Sequence, residues 1–358
     1  MVLGWGRALN SNRQELQGDR LVWADNTRIL AIFAVILLHV SAILVIGVRN
    51  LDSRQWWIGN IYNALSRWCV PVFVMLSGAL LLSEDKVESI AEFYKKRAAR
   101  VLIPTLFWTL FFVVWSLAEG VMQGHALSAR FFLKALSVGK TFVHMWFLYM
   151  IIGLYFIAPF IRILVRNTSK REIFFFTIVL FLLAAINEIY YSLHPKNIFL
   201  FINQFWNYLP YFIAGHFICK TEWKPRTSIL CLVFVLSVVL AALACFFVGE
   251  WQGLKKGLYF YRSLSVTVIP MSISIMFLFK KLSAAIVNVE ITRRLASLVL
   301  GIYFVHPLII TELHRCFGFS TLKSNPAISI PLISMVAFII SAMIAWLIQR
   351  IPYLKRVI

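Results

Sequence analysis

The run RILAIFAVILLHVSAILVIGV, residues 28–48, decides the fold class. It carries no charge after Arg28, and among its apolar residues only His39 and Ser41 are polar. A helix needs about 20 mostly apolar residues to cross a hydrocarbon layer about 30 Å thick, and this run has that length. It has no small-residue cleavage site, so it reads as a retained span and not as a signal peptide.

Outward from this run, similar stretches recur to the end of the chain. They predict further spans at residues 57–82, 101–117, 142–164, 173–191, 204–219, 228–248, 264–279, 296–313 and 327–348. The second is interrupted by Arg67 and Pro71, and the sixth is short and polar. Residues 126–138 (ALSARFFLKALSV) read as a short amphipathic helix lying on the membrane surface. No internal repeat or low-complexity linker divides the chain. The expectation is an all-α polytopic transmembrane bundle of about ten spans. It divides into a cytoplasmic segment 1–27, a membrane domain 28–349 and a cytoplasmic tail 350–358.

Composition agrees. The 358 residues are 61% hydrophobic and 14% charged, where a soluble domain carries about 25% charged residues. Lys and Arg number 35 against 15 Asp and Glu. With both termini placed in the cytoplasm, 23 of these basic residues fall on the inside, 11 fall outside, and Arg67 lies within the membrane. Basic residues concentrate on the cytoplasmic side of membrane proteins, which supports ten spans. No basic helix or aromatic-interleaved module accompanies the charge, so nucleic acid is not expected as a partner. The five cysteines show no metal-ligand spacing, and no metal site is expected. Walker A, GxSxG and HExxH patterns are absent. No pair of Gly/Pro-broken spans stands in matching halves, which argues against a secondary transporter.

Polar residues inside spans are costly and mark function or packing. Arg28 and His39 are eleven residues apart, about 20° past three full helical turns, so they share a face. The rise of roughly 16 Å carries His39 to mid-membrane, and Asp25 lies one turn before Arg28, within pairing reach. A histidine there fits proton transfer and equally an interhelical hydrogen bond. Arg97 and Arg100, one turn apart and next to Lys95 and Lys96, fit an anionic nucleotide-type ligand such as coenzyme A; they also fit a cluster that only sets topology. Arg67 requires a cavity or a carboxylate. His144 and Trp146 fall near the outer end of the fourth span, with Tyr149 and Tyr155 deeper, and Trp146 also suits an interfacial aromatic belt. Asn187, Glu188, Asn203, Gln204, Trp206 and Asn207 suit either a sugar or ordinary loop polarity. His306 lies about 15 Å into the ninth span, where it either shares a cavity with His39 or helps Pro307 bend the helix.

Taken in order, these segments resemble the acyltransferase-3 family of integral membrane O-acyltransferases. Asp25-x-x-Arg28-x10-His39 is similar to the family's first-helix signature, and PVFVMLSG (residues 71–78) to its second-helix motif. Arg97-Ala98-Ala99-Arg100 followed by Pro104 resembles its cytoplasmic RxxR. His144-x-Trp146-Phe147-Leu148 through Tyr155 and Pro159 is similar to its fourth block, and LGIYFVHPLI (residues 300–309) to its late Tyr-x-x-His-Pro block. Ile151 stands where many polysaccharide-modifying members have Glu.

The resemblance implies transfer of an acyl group, usually acetyl, from cytoplasmic acyl-CoA to a hydroxyl of a glycan or lipid-linked sugar. The enzyme would sit in the bacterial inner membrane. It implies His39 as the catalytic residue with Arg28 and Asp25 beside it, and Arg97 and Arg100 toward acyl-CoA. Arg67, Ser77, His144, Trp146, Tyr155, Glu188, Tyr303 and His306 are then expected at the acceptor side or the cavity. Acetyl-CoA would serve as a substrate, with no permanently bound cofactor. The chain looks similar to standalone family members, with no esterase-like domain expected after residue 358. The competing class is a polytopic transporter or flippase for a glycan precursor.

Overall fold

A computed structural model describes residues 3–83, 88–122, 142, 144–193, 204–282, 284–317 and 325–358, and the side chains from residue 22 onward. The predicted surface helix at 126–138 and Asn203 lie outside the described residues. Among the described residues there is no strand. Eight helices are long and apolar enough to cross a membrane, and the chain is a polytopic helical membrane bundle.

The first helix, α1 (Leu3–Gly47), starts well before its apolar run. Its spanning part is Val22–Gly47. Hydropathy marks where a helix enters lipid, not where its hydrogen bonds begin, so the separate N-terminal segment predicted at 1–27 is continuous with the first span.

The second span is two helices, α2 (Arg54–Ser66) and α3 (Cys69–Leu81). Pro71 explains the break. Its ring would clash with the Arg67 carbonyl in a continuous helix, whereas in the first turn of a new helix its missing N–H costs nothing. After α4 (Ile90–Arg97) a π-helical turn, Ala98–Leu102, leads into α5 (Ile103–Met122). The Ile103 N–H bonds back to Ala98 O, five residues earlier. Pro104, which cannot donate to the Arg100 carbonyl, is accommodated by this wider turn. Arg97 and Arg100 are therefore separated by a π turn and not by the α-helical turn their spacing suggests.

The remaining helices are α6 (Trp146–Arg166), α7 (Lys170–Leu193), α8 (Gln204–Lys220), α9 (Thr227–Gln252), α10 (Val268–Lys280), α11 (Val289–Phe317) and α12 (Pro326–Arg350). The predicted sixth and eighth spans correspond to α8, of 17 residues, and α10, of only 13. At 1.5 Å per residue α10 rises about 20 Å, too short to cross alone. The irregular stretch before it is partly buried in protein, where Tyr261, Leu264 and Ser265 are inaccessible. Hydroxyls satisfy its backbone: Thr267 Oγ1 donates to Phe260 O at 2.7 Å, and Ser265 Oγ accepts from the Val268 N–H at 3.2 Å. Non-helical backbone at membrane depth is tolerated only with such protection.

Helices α1, α3 and α11 form the centre, and α5, α7 and α9 the lipid-facing rim. Leu106, Leu110 and Val114 of α5 and Leu232, Leu236 and Leu240 of α9 point outward, an apolar surface that only lipid stabilises. The closest helix approach is α3 against α8. A Cβ on Gly78 would fall on the Phe212 carbonyl, and one on Gly215 on the Met75 carbonyl. Each glycine admits the other helix's backbone, so the helices touch where small residues alone allow it. This contact fixes the face of α3 that carries Ser77. The last residues fold back onto the bundle, with Trp108 Nε1 donating to Val357 O at 2.8 Å.

Candidate active site

Three histidines from three parts of the chain meet in the bundle. His39 comes from α1, His144 from the turn before α6, and His306 from α11. The His39 and His306 ring centroids are 5.3 Å apart, and those of His144 and His306 are 5.5 Å apart. His306 Nδ1 lies 3.1 Å from Ile302 O. A carbonyl only accepts, so Nδ1 carries the proton and Nε2 presents a lone pair. That Nε2 and both ring nitrogens of His144 are buried and have no hydrogen-bond partner among the described residues. His39 is only partly buried. Buried polar atoms in folded proteins are paired in the great majority of cases, so this concentration of unpaired nitrogens marks a place built for something other than packing. Among the described residues no group of three His, Cys, Asp or Glu side chains is arranged to hold a metal ion.

Tyr303 ties the cluster together. Its ring is 5.1 Å from His144 and 5.8 Å from His306, and its hydroxyl donates to the His144 carbonyl. Tyr303 also lines a cavity of about 430 Å³ that opens beside Arg28, Arg97 and Arg100. Ser77, Phe147, Leu148, Ile151 and Leu300 contribute to the walls. The cavity is therefore a mostly apolar corridor lined by three guanidinium groups and by Tyr303, whose ring packs on His144 and His306; the histidines themselves do not line it, and its volume suits a small-molecule ligand.

The arginines are held in different ways. Arg28 pairs with Asp25 one turn earlier, so Asp25 serves Arg28 and does not line the cavity. The Arg97 guanidinium lies 5.3 Å from the Phe93 ring centre, and Arg162 lies over the same ring at 5.2 Å. Arg162, counted from sequence only as a loop charge, is buried. It donates to Leu81 O at 2.7 Å and meets Glu88 at 3.3 Å, and Glu88 also meets Lys96 at 3.1 Å. Burial alone would raise the Glu88 carboxyl, but hydrogen bonds and charge from Lys96 and Arg162 outweigh it and hold the group below the ordinary carboxylate range. This brace joins the ends of α3, α4 and α6 around the corridor mouth.

Several expected positions change. Tyr155 lines the cavity beside Arg97, deeper along α6 than Trp146. Arg67 faces no carboxylate among the described residues. It donates to Asn63 Oδ1 and to Tyr261 O at 3.3 Å, and lies 4.4 Å from the Tyr261 ring centre. Asn63 Nδ2 in turn donates to Leu38 O and Ser41 Oγ, both at 3.0 Å, on either side of His39. Asn60 bonds Tyr261 and donates to Ala242 O at 3.1 Å. Asn60, Asn63 and Tyr261 were missed from sequence, yet Asn60, Asn63 and Arg67 stand at helical spacing in an apolar stretch, which is a readable polar stripe. Glu188 is not free either, since it pairs with Arg262 at 2.6 Å. Trp146 packs on Tyr208, with ring centres 5.9 Å apart, and Tyr208 donates to Ser263 at 3.0 Å.

A family model described as an acyltransferase domain, that of the acyltransferase-3 family, matches residues 21–348. The chain belongs to the acyltransferase-3 family. It is a multi-pass membrane acyltransferase, and the corridor and its histidines lie inside the matched region. No curated protein and no solved structure matches it. Membership speaks against the transporter class, although the structure does hold two interrupted spans. The break at Arg67 and the irregular lead-in to α10 face each other through the Arg67–Tyr261 contact.

Proposed function

We propose that this acyltransferase moves an acyl group, acetyl in the simplest case, from cytoplasmic acyl-CoA to a hydroxyl of a cell-surface polysaccharide or its lipid-linked precursor. In this reading it lies in a bacterial cytoplasmic membrane, with ten spans and both termini inside. Its standing would be that of family members such as the enterobacterial common antigen O-acetyltransferase. The observation that carries the reading is the corridor shared by Arg28, Arg97, Arg100 and Tyr303, with the Tyr303 ring packed on His144 and His306. Forked guanidinium groups suit the phosphates of CoA. Apolar walls suit the pantetheine arm, and the rise from Arg28 to His39, about 16 Å, brings the thioester to the imidazoles.

At the cluster the sugar hydroxyl attacks the thioester carbonyl. The new C–O bond forms, the C–S bond breaks, His39 takes the hydroxyl proton, and the CoA thiolate leaves down the corridor. His144 and His306 pack against this centre, and Trp146, Tyr208 and the Glu188–Arg262 pair line the acceptor's approach. An acyl-histidine intermediate on His39 is the two-step version of the same transfer.

Mass spectrometry of surface polysaccharide from cells with the wild-type gene, no gene, and His39→Ala tests this. An acyl-sized mass increment present only with wild type is expected. The increment persisting with an inserted His39→Ala protein refutes the role of His39. A second reading, movement of a glycan precursor across the bilayer, draws on the two interrupted spans that face each other. It predicts substrate flux without acyl-CoA consumption.

A further inference from the structure

Nε2 of His306 is a buried acceptor without a donor among the described residues. Its state is set by the helix that carries it. His306 stands directly before Pro307 in α11, and the proline ring offers no N–H to the Tyr303 carbonyl four residues earlier. The imidazole turns back along the helix. Nδ1 lies 3.1 Å from Ile302 O, and the Tyr303 carbonyl also acts on the ring. Both carbonyls only accept, so Nδ1 keeps the proton and Nε2 is held as a lone pair.

Two rings lie within reach of that lone pair. The His144 ring centroid is 5.5 Å away, but Phe112, Phe142 and Tyr303 pack around His144 at 5.2, 5.8 and 5.1 Å. His39 is nearer, at 5.3 Å, and is only partly buried. Two imidazoles joined by an N–H···N bond of ordinary length stand with their centroids roughly 5 Å apart, so the His39–His306 spacing matches such a bond. The His39 ring needs only to turn about its own Cβ–Cγ bond, a soft torsion in histidine. No carboxylate competes for the place. Among the described residues none lines the corridor, and Asp25 is taken by Arg28. The charged or titratable groups that act on the three rings, among the described residues, are one another and Arg67, a cation.

We propose that His306 is a positioning residue for His39, accepting its N–H at Nε2 and standing where other histidine-based sites place a carboxylate. It thereby orients the base of the acyl-transfer reading, on which this assignment rests. With one nitrogen of His39 donating to His306, the other keeps its lone pair for the sugar hydroxyl. As the C–O bond forms and the C–S bond breaks, the hydroxyl proton moves to that free nitrogen. The N–H···N bond then supports the positive charge with a neutral ring, inside a low-dielectric bundle where such a bond is strong. His39 passes the proton to the CoA thiolate and returns to neutral. His306 neither gains nor loses a proton.

The test uses the full-length protein in proteoliposomes. With isotope-labelled histidine nitrogens, NMR shifts report the tautomer of each of the seven histidines. His306→Gln and His39→Ala assign two of them by loss of signal. His306 should show a protonated Nδ1 and a bare Nε2 in contact with an N–H of His39. A protonated Nε2, or His144 as its donor, overturns the proposal. The second readout is transfer of label from radiolabelled acetyl-CoA to glycolipid extracted from host membranes. His306→Leu should lower kcat roughly a hundredfold, with KM for acetyl-CoA and the melting temperature unchanged. His306→Gln, whose Oε1 also accepts, should recover most of that loss. In the His39→Ala background, His306→Leu should cost nothing more. Equal losses for the two variants, or a further loss without His39, make His306 a packing residue. A wild-type protein that transfers no label overturns the acyl-transfer reading, and the nitrogen shifts then decide the His39–His306 bond by themselves.

Discussion

Two polar clusters lie inside this bundle, and they are built on opposite principles. Around Arg67, two asparagines, a tyrosine and backbone carbonyls pair nearly every donor, with Arg67 Nε the exception. Around His306, the ring nitrogens of His144 and Nε2 of His306 are buried with no partner among the described residues, and only Nδ1 of His306 is engaged. A satisfied buried network rigidifies, whereas unpaired buried groups cost stability and persist where chemistry uses them. The two clusters touch: Asn63 donates to the Leu38 carbonyl and to the Ser41 hydroxyl, on either side of His39.

The contrast breaks most visibly at His39. His39→Ala should lower acyl transfer by a factor on the order of 10³ and leave the melting temperature within a degree or two, measured on purified protein with acyl-CoA. A large fall in melting temperature would make His39 a packing residue. Next in size, Arg97→Gln with Arg100→Gln should raise KM for acyl-CoA at least about tenfold while kcat changes little, because charge-assisted hydrogen bonds to phosphate act on binding. Steady-state kinetics at varied acyl-CoA separates the two terms.

Asn63→Ala should do the reverse of His39→Ala. It should cost about 2 kcal/mol of stability, the loss expected when buried partners are left unmet, while activity per folded molecule stays near wild type. The smallest effect belongs to the Glu88 brace. Its folded-state carboxyl is held below the ordinary value of 4.5, so its contribution is fully present above that pH and is lost as pH falls through the lower, folded value. Glu88→Gln should therefore cost about 1 kcal/mol at neutral pH. Its stability curve should converge with wild type in acid.

The apolar runs revealed the bundle because lipid leaves helices little freedom. Pro71 already announced the break between α2 and α3. Other features were hidden for identifiable reasons. The early start of α1 leaves no hydropathy signal. The π turn needs Pro104 to be read against the carbonyl four residues before it, not as part of a spacing motif. Tyr155 was expected deeper than His144, and it lines the cavity beside Arg97. Arg162 was counted only among the basic residues on the inside, yet a long side chain near a helix end can turn inward when Glu88 and a helix-end carbonyl receive it. The histidine cluster was half legible: His39 and His306 stood at matching depths, but only the fold brings His144 to them.

The central claim is that the corridor carries the acyl donor from the arginine mouth to the histidines, and Leu300→Trp tests it most directly. Leu300 lines the cavity, about one helical turn from both Ala296 and Tyr303, which also line it. In proteoliposomes with radiolabelled acetyl-CoA, the variant should still bind CoA within a few-fold of wild type and should lose acyl transfer. Transfer at the wild-type rate through a filled corridor would contradict the account.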